Sequence, residues 1–553
     1  MYRKKHSKAI HFMLDSLPPG TAPATDIVSV KVFINGTTLS GEVAVSEITV
    51  SKQFNKIASA QVVFIDGSAS DRDFPLSNDD NYKPGNSIQI QLGYHGDVST
   101  VFEGVIVKHA VKIKSTGASR LIIDAKDKAI ALTGARKSAY FIDKTDSDVI
   151  EQLASALSPD IESTSLSHKQ LIQYDATDWD FLVTRAEANS MLVLTDDGTL
   201  IVKKPDTSST PVLTATYGDN IWDFDAEMDA RRQAVSVMST SWDYTQQQIE
   251  QSDTGEANFT ETGNLSSDDL ATVLGAKINL IHPGHLTQEQ LQSWSDAYAM
   301  RNHLSKAAGR LRVTGNAGVK PGAMLTLAGV GDRFNGDVFV TGVLHHYDGS
   351  WYSNIQFGWN EDWFFKKEDV INNPASGLLP GILGLQIGVV ADLDDPEGQY
   401  RVKLIIPTIT SGNEGLWARV ATLDAGANRG VYFRPQTGDE VIVGFLNDDP
   451  NEPIILGYLH SKDNKAAPVP EQSGQYGFVT LEKLKLIFDD TNKRLTISVP
   501  AASGEKSLVI NNDSGAFEMK DENQNTISMD TSGITIQAGT GNVTIKGTMV
   551  MIN

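Results

Sequence analysis

From Leu495 onward, apolar residues come in pairs split by one polar position: Leu495/Ile497, Leu508/Ile510, Phe517/Met519, Ile527/Met529, Ile534/Ile536, Val543/Ile545 and Val550/Ile552. Period two within each pair, with turn residues between pairs, predicts short strands in a ladder with one oily face. The pairs recur every nine residues or so, which is the mark of a repeat architecture rather than a compact domain. A single ladder has nothing of its own to bury that face against.

Upstream the pattern changes. Between Asp26 and about Phe141, "VSVKVFING", "SAQVVFIDG", "SIQIQLGY" and "STVFEGVIVKHAVKI" read as barrel-like strands, the first turning at Asn35-Gly36. Three helices are expected. One starts at Thr145 or Asp146, with Val149, Ile150, Leu153 and Leu157 on its apolar face. A second is capped by Thr177 with Asp180 in capping-box spacing, and Phe181, Leu182 and Ala186 can bury. The third runs from about Glu289 to Ala308, opened by a Thr287/Gln290 box, with Leu291, Trp294, Tyr298 and Leu304 inward and Gly309 ending it. A hairpin turns at Asp197-Gly198. "NNPASGLLPG" and "SKDNKAAPVPEQSG" read as linkers. Leu385 to Leu459 holds about five strands, the size of an OB-type barrel.

The boundaries that follow are an N-terminal arm (1–25), a strand-rich half (26–371), a linker (372–384), a small barrel (385–460), a second linker (461–480) and the strand ladder (481–553). The fold class is mainly β, with a few helices.

Charge narrows the function. The net charge of −22 disfavours a nucleic-acid partner, because phosphate binding needs clustered Lys and Arg. With no cysteine there is no disulfide, thiolate metal site or cysteine nucleophile. The apolar run in "MYRKKHSKAIHFMLDSLPPG" is too short for a cleavable signal, so synthesis and assembly in the cytoplasm are expected. No stretch has the apolar length of a membrane span.

Candidate chemistry is sparse. No G-x-S-x-G, P-loop or H-E-x-x-H pattern occurs. His282, His285 and His303 could be imagined around zinc but share no ligand spacing on one element, so they read as loop and helix-surface residues. His345-His346 in a strand would point to opposite faces. "DLDDPEGQY" (Asp392 to Tyr400) has the composition of a calcium loop, but Pro396 sits where a ligand should be; a tight acidic turn fits better. Asp448-Asp449 reads as a turn starter rather than a glycosidase pair. No catalytic residue, metal or cofactor is expected.

The block from Leu385 to Leu459 resembles the OB domain of VgrG-type spike proteins of contractile injection systems and phage tails. The resemblance rests on "DPEGQYRVK", Trp417-Ala418-Arg419-Val420, Ala425-Gly426, Gly430, Pro435, Gly438-Asp439-Glu440-Val441, Asp449-Pro450 and Pro453. "TDWDFLVTRAEANSMLVLTDDG" and "KPGAMLTLAGVGDRFNGDVFVTGV" resemble the matching hub. The resemblance implies a homotrimer whose hub carries two related barrels per chain beneath a hexameric tube, with tube and baseplate proteins docked on it. It also implies a small PAAR-like tip partner. With no lysozyme-like stretch between the barrel block and the ladder, and none of toxin type read after it, an enzymatic spike is not expected. The length and the basic N-terminal arm look closer to the spikes of extracellular phage-tail-like particles than to those of type VI systems.

A trimer gives the ladder's oily face a destination. Three chains wound around one axis as a β-prism or β-helix needle would turn Ile527, Met529, Ile534, Ile536, Val543 and Ile545 inward. Met549, Val550, Met551, Ile552 and Asn553 would then form an apolar open end for the tip partner. The expected role is a central spike and baseplate hub that pierces a target envelope mechanically. The competing classes are a trimeric receptor-binding fibre or adhesin, and a glycan-degrading β-helix enzyme.

Overall fold

The computed structural model describes residues 27–552 except 258, 360, 368, 369, 410, 411, 413, 464 and 466–473. The expected N-terminal arm and Asn553 therefore lie outside the described residues. The chain divides into two units, Met1–Asn372 and Asn373–Asn553. Among the described residues no helix is long and apolar enough to cross a membrane.

In the first unit the alternating strands build a thirteen-stranded sheet. One stretch of it encloses Ile48, Val50, Val62, Phe64, Ile90, Leu92, Phe102 and Ile123. Another encloses Leu311, Val313, Leu325, Leu327, Val340, Ile355 and Phe357. Val45–Gln53 pairs antiparallel with Gly336–Tyr347, from Gly342↔Gln53 to Tyr347↔Ile48, and so joins the two. Where the resemblance implies two hub barrels, the two cores thus lie along one continuous sheet.

The helices follow their caps. Thr145 closes a full capping box with Asp148 at the start of Asp146–Leu153. That helix ends before Leu157, which joins its core from beyond the last turn. Thr177 accepts from the Asp180 amide to open Asp178–Ala188, and Leu182 and Ala186 are buried. Gln288–Leu304 begins at the Thr287/Gln290 box. Leu291 and Leu304 are buried, while Trp294 and Tyr298 are half-buried.

Gly309 does not end this helix. Ser305 does, and Gly309 lies inside the strand Ala307–Thr314. A Cβ there would meet the Asp225 carbonyl at 2.5 Å and the Phe357 ring at 2.7 Å, so the glycine serves close strand packing. The pattern also did not reveal Ser267–Leu274, a helix with its own Ser266/Asp269 capping box.

Long-range polar contacts lock the helices to the sheet. Arg301 Nη1 donates to Glu187 Oε1 at 2.8 Å, and the second Glu187 oxygen accepts from the Phe364 amide at 2.8 Å. Asn55 Nδ2 also donates to Glu187. Both charged partners are buried, so the pair is closed on itself rather than on solvent.

The second unit holds a closed barrel of five strands: Gln386–Asp392, Val402–Ile405, Leu416–Val420, Pro453–Tyr458 and Glu440–Phe445, in that order around the barrel. Val390, Val402, Leu404, Ala418, Val441, Val443 and Ile455 fill it. The ladder follows as a seven-stranded antiparallel meander from Gln475–Val479 to Gly533–Gln537. Its first strand begins inside the stretch read as linker.

Candidate functional site

The ladder's register turns the sequence pairs into two unbroken apolar rows. One row runs Tyr476, Phe488, Leu495, Ile510, Phe517, Met529, Ile534 across successive strands. The other runs Phe478, Leu486, Ile497, Leu508, Met519, Ile527, Ile536. Apart from the Tyr476 hydroxyl at one end, neither row contains a polar group. The row between them, on the opposite face, is Gly477, Ile487, Thr496, Val509, Glu518, Ser528 and Thr535. It becomes polar towards the C-terminus.

Register here is set by pattern and turns together. Asp489, Asn511, Asp521 and Asp530 each accept backbone amides two or three residues on, which closes the hairpins. Side-chain donors Asn492, Asn525 and Ser532, helped by those amides, hold Asp489, Asp521 and Asp530 below the ordinary carboxylate range. Gly477 is needed where it is: a Cβ would lie 2.0 Å from the Leu486 carbonyl. Phe433 of the barrel stacks on Phe478 at 5.4 Å and anchors the start of the second row.

In the single chain no member of either row is buried. The barrel core beside it is almost wholly buried, so the ladder's exposure is a property of its face and not of small size. Of the expected trimer-core residues, Ile527 and Met529 lie in the strand Thr526–Asp530, and Ile534 and Ile536 in the last strand. All four stand exposed on the apolar face.

Val543 and Ile545 are also exposed but are not in a strand, and neither is Val550 or Ile552. The last two expected strand pairs are corrected accordingly: the ladder stops at Gln537. Gly539, Gly541 and Gly547 raise the cost of ordering this segment, and it does not add to the free edge of Gly533–Gln537. Met549, Val550, Met551 and Ile552 are exposed, Ile552 at 87%.

The other candidates resolve into turns and separate contacts. His282 Nδ1 meets the Gly284 backbone, His285 sits beside Asp243, and His303 lies beside Glu261 and Ser267. The three histidines therefore serve different neighbours. His345 is buried against Ser353 Oγ, whereas His346 contacts Thr49. Asp395 accepts the amides of Glu397, Gln399 and Arg401 and pairs with the Arg401 guanidinium, which makes "DLDDPEGQY" an acidic turn. Asp449 accepts the Asn451 amide, again closing a turn.

Comparison with known proteins places three family models on the chain. The Alg8 N-terminal domain matches residues 24–348. The type VI secretion system/phage-baseplate injector OB domain matches 386–460, and the phage baseplate V C-terminal trimerisation domain matches 479–553. The type VI secretion system spike protein VgrG3 of Vibrio cholerae is 38% identical over 89 residues, 14% of this chain and 9% of that protein. The spike protein VgrG5 of Pseudomonas aeruginosa is 32% identical over 94 residues, 16% of this chain and 12% of that one. The chain thus spans only a small part of the length of these curated relatives. Among solved structures, a tail protein of Neisseria meningitidis covers 61% of this chain and 98% of its own at 17% identity, with a TM-score of 0.43. The E. coli c3393 protein, a type VI secretion component, covers 78% of this chain and 100% of its own at 17% identity, with a TM-score of 0.38.

Proposed function

The chain belongs to the family of the Alg8 N-terminal domain, which matches more than half of it, and its organisation is that of a VgrG-type spike protein; from that premise we propose that it is the homotrimeric central spike and baseplate hub of a contractile injection particle. The observation that carries the reading is the pair of apolar rows standing bare in a single chain. Three copies around one axis remove both rows from water at once. The hub is residues 26–371 and the OB barrel 385–460, as set out from the sequence, and the needle starts earlier than 481, at the ladder's first strand Gln475–Val479.

Function in this reading is mechanical. Every inner strand of the needle is hydrogen-bonded to its neighbours and packed on two other chains, so the needle resists bending. Force from a contracting sheath reaches the target envelope through it, and the hub adapts threefold needle to hexameric tube. The spike does no catalysis of its own. A PAAR-like tip protein covers Met549 to Asn553, and tube and baseplate proteins dock on the hub. An extracellular phage-tail-like particle is preferred over a type VI system. The protein is made and assembled in the cytoplasm and acts in the finished particle.

The test is the assembly of the purified full chain. Sedimentation should give a trimer, and negative-stain images a bulky head with a thin rod. A monodisperse monomer at micromolar concentration would overturn the proposal.

A further inference from the structure

Within the first unit, Ser236–Asp243 pairs with the edge strand Gln248–Gln251 on one side and with Lys277–His282 on the other. The hairpin sets Asp243 opposite Gln248 and Ser241 opposite Glu250, so Asp243 and Glu250 are diagonal neighbours on one face. After Lys277–His282 the chain turns through Pro283 and Gly284. It then brings His285 up to Asp243, just before Thr287 caps the long helix. His285 Nδ1 lies 3.6 Å from Asp243 Oδ1. One donor atom from each of Asp243, Glu250 and His285 lies within 4.8 Å of the others, and no other group of three such side chains occurs among the described residues.

Other contacts do not use up these donors. Asp243 Oδ1 accepts from the Thr245 and Gln246 amides and the Thr245 hydroxyl, which fixes the turn. Its second oxygen has no hydrogen bond among the described residues, and neither has the Glu250 carboxylate. No described Lys or Arg lies within ion-pair distance of either. The His285–Asp243 separation is too long for a hydrogen bond. The Tyr244 ring meets the imidazole edge to face at 5.8 Å and supports its orientation. Two carboxylates side by side without a cation repel each other, and a dication between them would reverse that.

We propose that Asp243, Glu250 and His285 bind one divalent transition-metal ion of the zinc class. One imidazole nitrogen with two carboxylate oxygens suits zinc, cobalt or nickel, whereas magnesium and calcium take oxygen alone. Zinc bonds of about 2.0–2.2 Å set tetrahedral donors roughly 3.4 Å apart, so donors within 4.8 Å of one another must draw in by up to about an ångström, a movement open to a hairpin edge and a loop. The ion clasps the hairpin to the loop that feeds the long helix.

The test uses the full chain stripped with a chelator, titrated with Zn2+ by calorimetry in excess Mg2+, and with Co2+ by visible absorption. One ion per chain is expected, unaffected by magnesium, with cobalt bands of a nitrogen–oxygen site. His285→Ala and Glu250→Gln should each weaken zinc binding at least tenfold or so with an unchanged circular dichroism spectrum. His303→Ala should leave it unaltered. Glu250 is on an edge strand, so its variant decides the matter if His285→Ala misfolds. Zinc binding at full strength in both variants, or none tighter than about 100 μM in the parent chain, overturns the proposal.

Discussion

Ile527→Asp puts the trimer reading at most direct risk. Ile527 sits in the second apolar row between Met519 and Ile536 and is 39% exposed in the single chain. Complete burial of an isoleucine is worth about 1.5–3 kcal/mol, so covering the exposed fraction contributes roughly 0.6–1.2 kcal/mol per chain. Aspartate reverses the sign. A carboxylate in a dry core costs several kcal/mol, and taking about 3 kcal/mol per chain gives about 9 kcal/mol for three. At about 1.4 kcal/mol per decade, that is roughly six decades in the assembly constant. The single chain should hardly notice, because exposed substitutions usually stay within about 0.5 kcal/mol. The assay is sedimentation velocity over a range of concentrations, with limited proteolysis of the ladder. Thr535→Asp is the control: it adds the same charge on the opposite face, beside Ser528, and should leave assembly intact. An Ile527→Asp protein that remains trimeric with a protected ladder would refute the argument.

Other expectations follow from different parts of the molecule. Burial, then the nearby Lys52 and Lys320 charges, lower the His345 pKa from 6.5 to about 3. The unfolded chain therefore binds a proton that the folded chain refuses, and acidification from about pH 6.5 towards 4 should cost about 1 kcal/mol per pH unit at this site. Melting temperatures of the parent chain and His345→Gln should diverge less as pH falls, and parallel curves would sink the assignment. Glu187→Ala strands the buried Arg301 charge and should cost about 3–5 kcal/mol in urea unfolding, whereas Glu187→Gln should cost less. Deleting residues 548–553 should abolish co-purification of the tip protein without changing trimer mass; full retention of the partner would place the capping surface elsewhere.

The ladder was legible because its information is local. A pair such as Leu508/Ile510 needs only period two and a turn on either side, and the structure aligns it with Ile497/Leu495 and Met519/Phe517. Three helix starts were legible for the same reason, since Thr145, Thr177 and Thr287 act within three residues, whereas the equally local Ser266/Asp269 box was not read. Where the strands stop was not legible: Val543/Ile545 has the same pattern as Ile534/Ile536 but, set among Gly539, Gly541 and Gly547, does not add to the free edge of the last strand. Gly309 looked like a helix stop because its need, room beside Asp225 and Phe357, comes from residues far away in sequence. Glu187 and Arg301 likewise form a pair that no local pattern could join. Asp243, Glu250 and His285 come from two strands and a loop, so no spaced motif marks them.

The pairing of Val45–Gln53 with Gly336–Tyr347 also bears on how the protein is made. The partner strand is translated nearly three hundred residues later. At about 5–20 residues per second on the ribosome, the early strand waits roughly 15–60 s for it. Throughout that time one of its edges displays free amides and carbonyls beside apolar side chains, a template for pairing with a neighbouring nascent chain. Loop closure over such a distance also makes this junction slow to form. Recombinant yield should therefore be governed by this seam and improve with slower synthesis at low temperature or with added chaperones, even where the finished protein is stable.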